Sequence, residues 1–228
     1  MADYRQYCPV AHATEIFADR WTPLIVRELL AGSSHFNAIH RGLPGISRSL
    51  LVSRLRHLED NAVIERRACD RPNSSEYVLT EAGRELRNVV EQLGKWGVKW
   101  AFGEPRPEEL DPVLLLWKIH QRIYCDRLPA RRTIVQFEFS GERKRRLWLV
   151  LEPTEVSVCL KPPGGDPDLI VHTGLALMYR VWVGHLDWDA AIRGGGIVVD
   201  GPPTLARELP RWFKWSPMAQ HVRAAASP

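Results

Sequence analysis

From Leu29 to Leu58 the chain carries no acidic residue, yet the same interval holds Arg41, Arg48, Arg54 and Arg56 together with His35, His40 and His57. A stretch of that charge is built to receive an anion. Ser47 is a good helix N-cap, so a helix is expected from there to about Asn61. With each residue turning the helix by roughly 100°, Leu51, Leu55 and Leu58 fall on one buried stripe, and Ser49, Ser53 and Arg56 point the other way. That outer face has a definite chemistry. Small side chains permit close approach to a surface, a guanidinium can make two hydrogen bonds to guanine, and serine can bond several base edges, so the face suits a DNA major groove. Ser47, Arg48 and the first free N–H groups of the helix are placed to meet a phosphate. Arg54, at the edge of the buried stripe, is expected to hold a phosphate or the scaffold before it reads a base. Val52 and His57 complete the candidate DNA-binding set. A basic helix face standing alone is commonly just a solvated one, and what decides here is the order of the flanking elements.

Those elements can be read from punctuation. Thr22 as N-cap and Pro23 in the first helical position predict a helix from Pro23 to Leu30, stopped by Gly32. A short helix over 36–41 and the turn Leu43-Pro-Gly-Ile46 lead into Ser47. Two alternating segments, 63–67 and 76–79, flank a polar tip at 70–75 and predict a hairpin, with Arg71 at the tip reaching for a phosphate or the minor groove. Thr80 caps a helix expected over 81–100, whose Leu86, Val89, Val90, Leu93, Trp96 and Trp100 exceed what a small domain needs internally and so predict a dimer contact.

Helix, helix, glycine-containing turn, serine-capped basic helix and hairpin form one architecture, the winged helix-turn-helix. Cys8-Pro-Val-Ala, Asp19-Arg-Trp-Thr-Pro-Leu-Ile, Arg27-Glu-Leu-Leu, Phe36, Gly42-Leu-Pro-Gly-Ile-Ser47, Leu51, Arg54-Leu, Leu58-Glu59 and Tyr77-Val-Leu-Thr-Glu-Ala-Gly83 closely resemble the HxlR family of transcriptional regulators over about residues 7–102. The resemblance implies a homodimer built through the first helix and the long helix after the wing, and a pseudo-palindromic double-stranded operator. It also implies two readings of Cys8, as a redox-sensing thiol favoured by His12 one turn on, or as ordinary packing.

Three prolines and four acids between Gly103 and Pro112 read as a linker, which gives a DNA-binding and dimerisation domain over 1–103, a linker over 104–112 and a second domain over 113–228. In the second domain a helix is expected over 113–124, then strands over 133–139, 146–151, 155–160 and 168–172 as an antiparallel meander, helices over 174–183 and 187–193, a strand over 196–199 and a last helix over 204–213. The fold class is α+β throughout. Residues 166–213 resemble sterol carrier protein-like domains, which implies an apolar small-molecule ligand held between sheet and helices, with Leu175, Met178, Tyr179 and Trp182 as candidate pocket lining. Six of the nine tryptophans lie beyond residue 104, which suits such a pocket and suits an ordinary core equally.

Other chemistries lack their residues. The four cysteines, Cys8, Cys69, Cys125 and Cys159, show neither a CxxC pair nor a metal-ligand spacing with histidine, so reduced thiols and no metal are expected. No catalytic constellation stands out, no cofactor is implied, and the expectation is a protein that is not an enzyme. Gly194-Gly-Gly196 follows a helix and precedes a strand, the wrong order for a phosphate loop. Arg143-Lys-Arg-Arg146 reads as a solvated hairpin turn, with a phosphate contact as the alternative. With 45% hydrophobic and 25% charged residues, a net charge of +4, no long apolar run and no signal-like start, the chain is expected to be cytoplasmic with no membrane partner. An apolar carrier whose winged helix mainly makes the dimer is the alternative to a regulator.

Overall fold

The computed structural model describes residues 4–69, 75–141 and 144–226, and within them the chain divides into two compact units, 1–94 and 95–228. The division falls inside a helix, between Gly94 and Lys95.

The first unit contains α1 (Pro9–Phe17), α2 (Thr22–Leu30), α3 (Phe36–Arg41), α4 (Arg48–Asp60), the hairpin β1 (Ile64–Ala68) and β2 (Ser75–Leu79), and the start of α5 (Glu81–Trp100). Its core gathers Ile25, Val26 and Leu29 of α2, Ile39 of α3, Leu51, Leu55 and Leu58 of α4, and Val63, Ile64 and Leu79 of the hairpin. Each such leucine is worth about 1.5–3 kcal/mol when fully buried, so the apolar stripe of α4 fixes the rotation of that helix. The hairpin pairs Ile64 with Leu79 and Ala68 with Ser75, and Tyr77 N donates to Ser34 O at 2.8 Å, tying the wing to the segment before α3.

One expected cap is different. Residue Trp21, not Thr22, occupies the N-cap position of α2, in the left-handed region at φ +81°, and no side chain caps that helix. Thr22 is already inside the helix, with its hydroxyl buried and without a partner among the described residues. The other end of α2 closes as expected: Gly32 takes φ +95° and Ser33 N returns to Glu28 O at 3.0 Å.

Two glycines are set by close approach. A side chain on Gly42 would overlap the carboxylate of Glu28, which is fully buried and receives Arg27 Nη2 at 2.8 Å. One on Gly83 would overlap the carbonyl oxygen of Val63, where α5 starts against the hairpin. Thr80 sets that start: its Oγ1 accepts from Gly83 N at 3.2 Å and donates to Ala62 O at 2.7 Å.

The second unit holds α6 (Pro112–His120), β3 (Thr133–Ser140), β4 (Arg145–Leu151), β5 (Val156–Cys159), β6 (Leu169–Gly174), α7 (Leu175–Val183), α8 (Trp188–Arg193), β7 (Ile197–Asp200), α9 (Pro203–Glu208) and α10 (Ala219–Ala226). Its five strands run in the order β5-β4-β3-β6-β7. The antiparallel meander expected from the sequence is correct for β3, β4 and β5 but fails at β6, which lies parallel to β3 and makes the sheet mixed. The cause is Asp168. Its carboxylate accepts from Ile134 N at 2.8 Å and from Arg131 Nη1 at 2.7 Å, and its own N–H donates to Ile134 O at 2.8 Å. These bonds pin the start of β6 beside the start of β3 after the proline–glycine segment 162–167 has carried the chain back.

Val135, Phe137 and Phe139 of β3 with Leu147, Leu149 and Leu151 of β4 face a core shared with Leu115, Leu116 and Ile119 of α6 and Met178 and Trp182 of α7. The first helix of this unit stops at His120 rather than at residue 124, because residues 122–124 turn to pair with 212–214: Tyr124 N donates to Trp212 O at 2.8 Å and Lys214 N to Arg122 O at 2.7 Å. The last expected helix breaks at Leu209 into a short 3-10 turn containing Pro210. Helix α10, after it, is not signalled by any cap or pattern used above.

Candidate nucleic-acid interface

The N-terminal end of α4 is set by its turn. Leu43 O accepts from Ile46 N at 3.3 Å around Pro44 and Gly45, and Gly45 adopts φ +92°, the left-handed value that glycine permits at the third position of such a turn. His40 Nε2 meets Ile46 O at 3.1 Å and holds the turn from α3. Ser47 then caps α4, its Oγ accepting from Leu50 N at 3.2 Å and lying 3.2 Å from Ser49 Oγ.

Beyond the cap, the basic and polar residues of α4 separate into two groups. Ser49, Ser53 and Arg56 are exposed on the face opposite Leu51, Leu55 and Leu58, and Arg56 has no partner among the described residues. The others are engaged within the unit. Arg54 is ion-paired with Asp19, the two side chains being 20% and 32% exposed. Arg48 donates to Asn37 Oδ1 at 3.1 Å, with its guanidinium 4.8 Å from the Phe36 ring centre. His57 Nδ1 lies 3.2 Å from Asn61 Nδ2, and Val52 is half-buried. The wing presents exposed Arg66 and Arg67 on β1, with Arg67 paired to Glu65; Arg71 lies outside the described residues. The sequence missed the Asp19–Arg54 and Asn37–Arg48 pairs, because no local pattern joins residues 35 and 11 positions apart.

Residues 16–104 match the model of the HxlR-like helix-turn-helix family. Over 97 residues the chain is 36% identical to YvaP of Bacillus subtilis strain 168, named as an HTH-type transcriptional regulator, and the alignment spans 42% of this chain and 90% of that relative. The chain belongs to the HxlR family. Mb3122 of Mycobacterium bovis, another protein named as an HTH-type transcriptional regulator, is 41% identical over 100 residues, covering 43% of this chain and 61% of its own. Among solved structures, the redox regulator HypR in its reduced form is 30% identical over 40% of this chain and 90% of its own, with a TM-score of 0.38. This HxlR-type chain is therefore a DNA-binding transcriptional regulator through its first hundred residues, and Arg48, Ser49, Ser53 and Arg56 all lie inside the matched segment. Cys8 precedes that segment. It is half-buried at the N-cap of α1, its carbonyl accepting from His12 N at 3.1 Å, while the His12 ring lies 3.8 Å from Glu15.

In the second unit, Leu175, Tyr179 and Trp182 do share a cavity, with Leu114, Leu115 and Lys118 of α6, but it encloses only about 90 Å³. Met178 is fully buried in the core instead. Burial pushes the Tyr179 phenol above its ordinary range, and the nearby Glu109 and Glu104 carboxylates act in the same direction. Among the described residues no group of three or more His, Cys, Asp or Glu side chains is placed to hold a metal, and no helix is long and apolar enough to cross a membrane.

Proposed function

We propose that this HxlR-type protein is a homodimeric repressor that lays α4 of each protomer in successive major grooves of a pseudo-palindromic operator. The observation that carries the reading is the face of α4: Ser49, Ser53 and Arg56 stand exposed on the side opposite a fully buried leucine stripe, with no carboxylate in the helix before Glu59. In this reading Arg56 and the two serines meet base edges, and Ser47, Arg48 and the wing, including Arg71, meet phosphates. Arg54 and His57 support the helix from behind.

A second copy is the occupant proposed for the outer side of α5. Val89, Leu93, Trp96 and Trp100 are 44%, 51%, 61% and 66% exposed. Their spacing of four, three and four residues is the seam of a two-helix contact. Tyr4, Tyr7 and Val10, at and before the start of α1, are exposed as well and extend the apolar surface available to a partner protomer.

Two modulators belong to the same proposal. One is a redox response at Cys8, whose thiol stands half-buried at the N-cap of α1. The other is an apolar ligand in a sterol carrier protein-like second unit, a reading that rests on a single five-stranded sheet sharing a core with α6 and α7. Its apolar ligand has weaker support, because drug-sized ligands occupy about 300–1,000 Å³, several times the space beside Leu175, Tyr179 and Trp182. No observation favours the carrier alternative over the regulator.

The test is fluorescence anisotropy of the protein on DNA from upstream of its own gene, against random duplex of equal length, across salt concentrations. Tight binding with a sequence preference is expected, the logarithm of the affinity falling by about 0.9 per phosphate contact for each unit in the logarithm of salt concentration. Equal, weak affinity for every duplex, including a library selected for binding, would refute the reading.

A further inference from the structure

The cations of α4 differ in what they meet. Arg54 meets a carboxylate, that of Asp19, and its charge is balanced within the unit. Arg48, the first residue of α4, meets only neutral partners among the described residues. Its Nη2 donates to Asn37 Oδ1 at 3.1 Å, and its guanidinium lies over the Phe36 ring, 4.8 Å from the centre. Both contacts come from the first turn of α3.

The ring of that socket is anchored on two sides. Phe36 packs against the core of the first unit, and its ring faces the His40 ring at 6.2 Å between centres and 13° between planes. His40 Nε2 in turn meets Ile46 O at 3.1 Å, one residue before the Ser47 cap. The aromatic ring and the start of α4 are therefore parts of one construction. Glu76 of β2, which is bridged to the segment before α3, is met by His35 Nε2 at 3.3 Å and by Ser34 Oγ at 3.5 Å, and does not pair with Arg48.

A neutral amide and an aromatic face restrain a cation without cancelling it. A guanidinium carries five N–H donors in a planar fork; Asn37 takes one, and the side chain of Arg48 is otherwise exposed. An arginine that moves freely gives up rotamer freedom when it grips a phosphate, and one already held gives up less.

We infer that Phe36 and Asn37 are positioning residues of the nucleic-acid interface: they present Arg48, with its charge intact, to a backbone phosphate at the edge of the half-site. The inference rests on the reading of α4 as the element that enters the groove. It adds that α3, which reads no base, sets part of the electrostatic affinity. A carboxylate in place of the Asn37 amide would turn Arg48 into a second internal ion pair, like that of Arg54.

The test is fluorescence anisotropy of the full-length protein on a duplex selected for tight binding to it and on random duplex, across potassium chloride concentrations. Arg48→Ala should weaken both by about tenfold or more, leave their ratio within about twofold, and make the logarithmic salt slope shallower by about 0.9 for each protomer bound. Asn37→Ala and Phe36→Leu keep the charge and lose part of the restraint, so each should lower affinity about two- to tenfold with the slope unchanged. Asn37→Asp should reproduce the shallower slope of Arg48→Ala. Its urea midpoint should stay at or above the native value, because it gains an ion pair, which separates the effect from misfolding. In the Arg48→Ala background the same Asn37→Asp change should cost only about twofold, the screened repulsion of an exposed carboxylate. Equal losses in the two backgrounds, or native affinity in Asn37→Ala, would refute the positioning role. A native slope in Arg48→Ala would refute it as well, while leaving the reading of α4 in place. So would a collapse of operator preference with the slope kept, which would make Arg48 a base reader. Native protein that binds every duplex weakly and without preference would overturn the reading of α4 and this inference with it.

Discussion

Replacing Arg56 and Arg54 separately by alanine divides the two roles assigned to the arginines of α4. Arg56 is exposed and unpartnered among the described residues, so its loss should change folding stability by no more than about 0.5 kcal/mol. If its guanidinium reads a guanine, each contact is worth about 1–3 kcal/mol of discrimination. A two-fold complex makes that contact twice, for about 2–6 kcal/mol, so the ratio of operator to random-duplex affinity should fall about thirtyfold or more. Arg54 is the reverse case. Its partner Asp19 is two-thirds shielded and would be left without its cation. Discounted for that exposure, the loss should be about 1–2 kcal/mol of stability, with the affinity ratio nearly unchanged once folded protein is compared. Urea unfolding supplies the first quantity, and anisotropy on the two duplexes supplies the second. A ratio insensitive to Arg56→Ala but reduced by Arg54→Ala would show that the face pointing at DNA has been misplaced, whatever the affinity.

Gly42→Ala should destabilise the first unit by about 1–3 kcal/mol in urea melts, because the new methyl overlaps a fully buried carboxylate and shifting it would disturb its pair with Arg27. Thr22→Val should be neutral or stabilising by up to about 1 kcal/mol, since the hydroxyl it removes is buried without a partner; a clear loss of stability would mean that the hydroxyl is satisfied in solution. Leu93→Glu with Trp96→Glu should convert the proposed dimer to monomer in analytical ultracentrifugation and weaken operator binding while leaving the circular dichroism of the monomer native-like. An unchanged sedimentation coefficient would move the dimer contact off α5.

Most of the first unit was legible because its signals are local. Ser47, Gly32 and Thr80 each act on backbone groups two to four residues away, and the leucines of α4 repeat within a single helix. The failures share a cause in distance or in strain. Trp21 takes a left-handed conformation that no propensity assigns to tryptophan, which displaced the start of α2 by one residue. Asp168 reverses the direction of β6 through bonds to residues 131 and 134, more than thirty positions back. Alternation identifies a strand and its two faces, but nothing in that period says which strand it will lie beside or in which sense.

The same limit applied to the candidate site. Charge pattern located the basic helix correctly but could not distinguish arginines that hold the protein together from those left for a partner. Asp19 makes that division by engaging Arg54 and leaving Arg56, while the neutral Asn37 positions Arg48 without cancelling its charge. In the second unit the division runs the other way. Aromatic composition pointed to an apolar pocket, whereas packing spends Trp182 and Met178 on the core and leaves about 90 Å³ beside them. A ligand proposed for the second unit can alter operator affinity only if it binds the DNA-competent arrangement of the proposed dimer more or less tightly than the alternative.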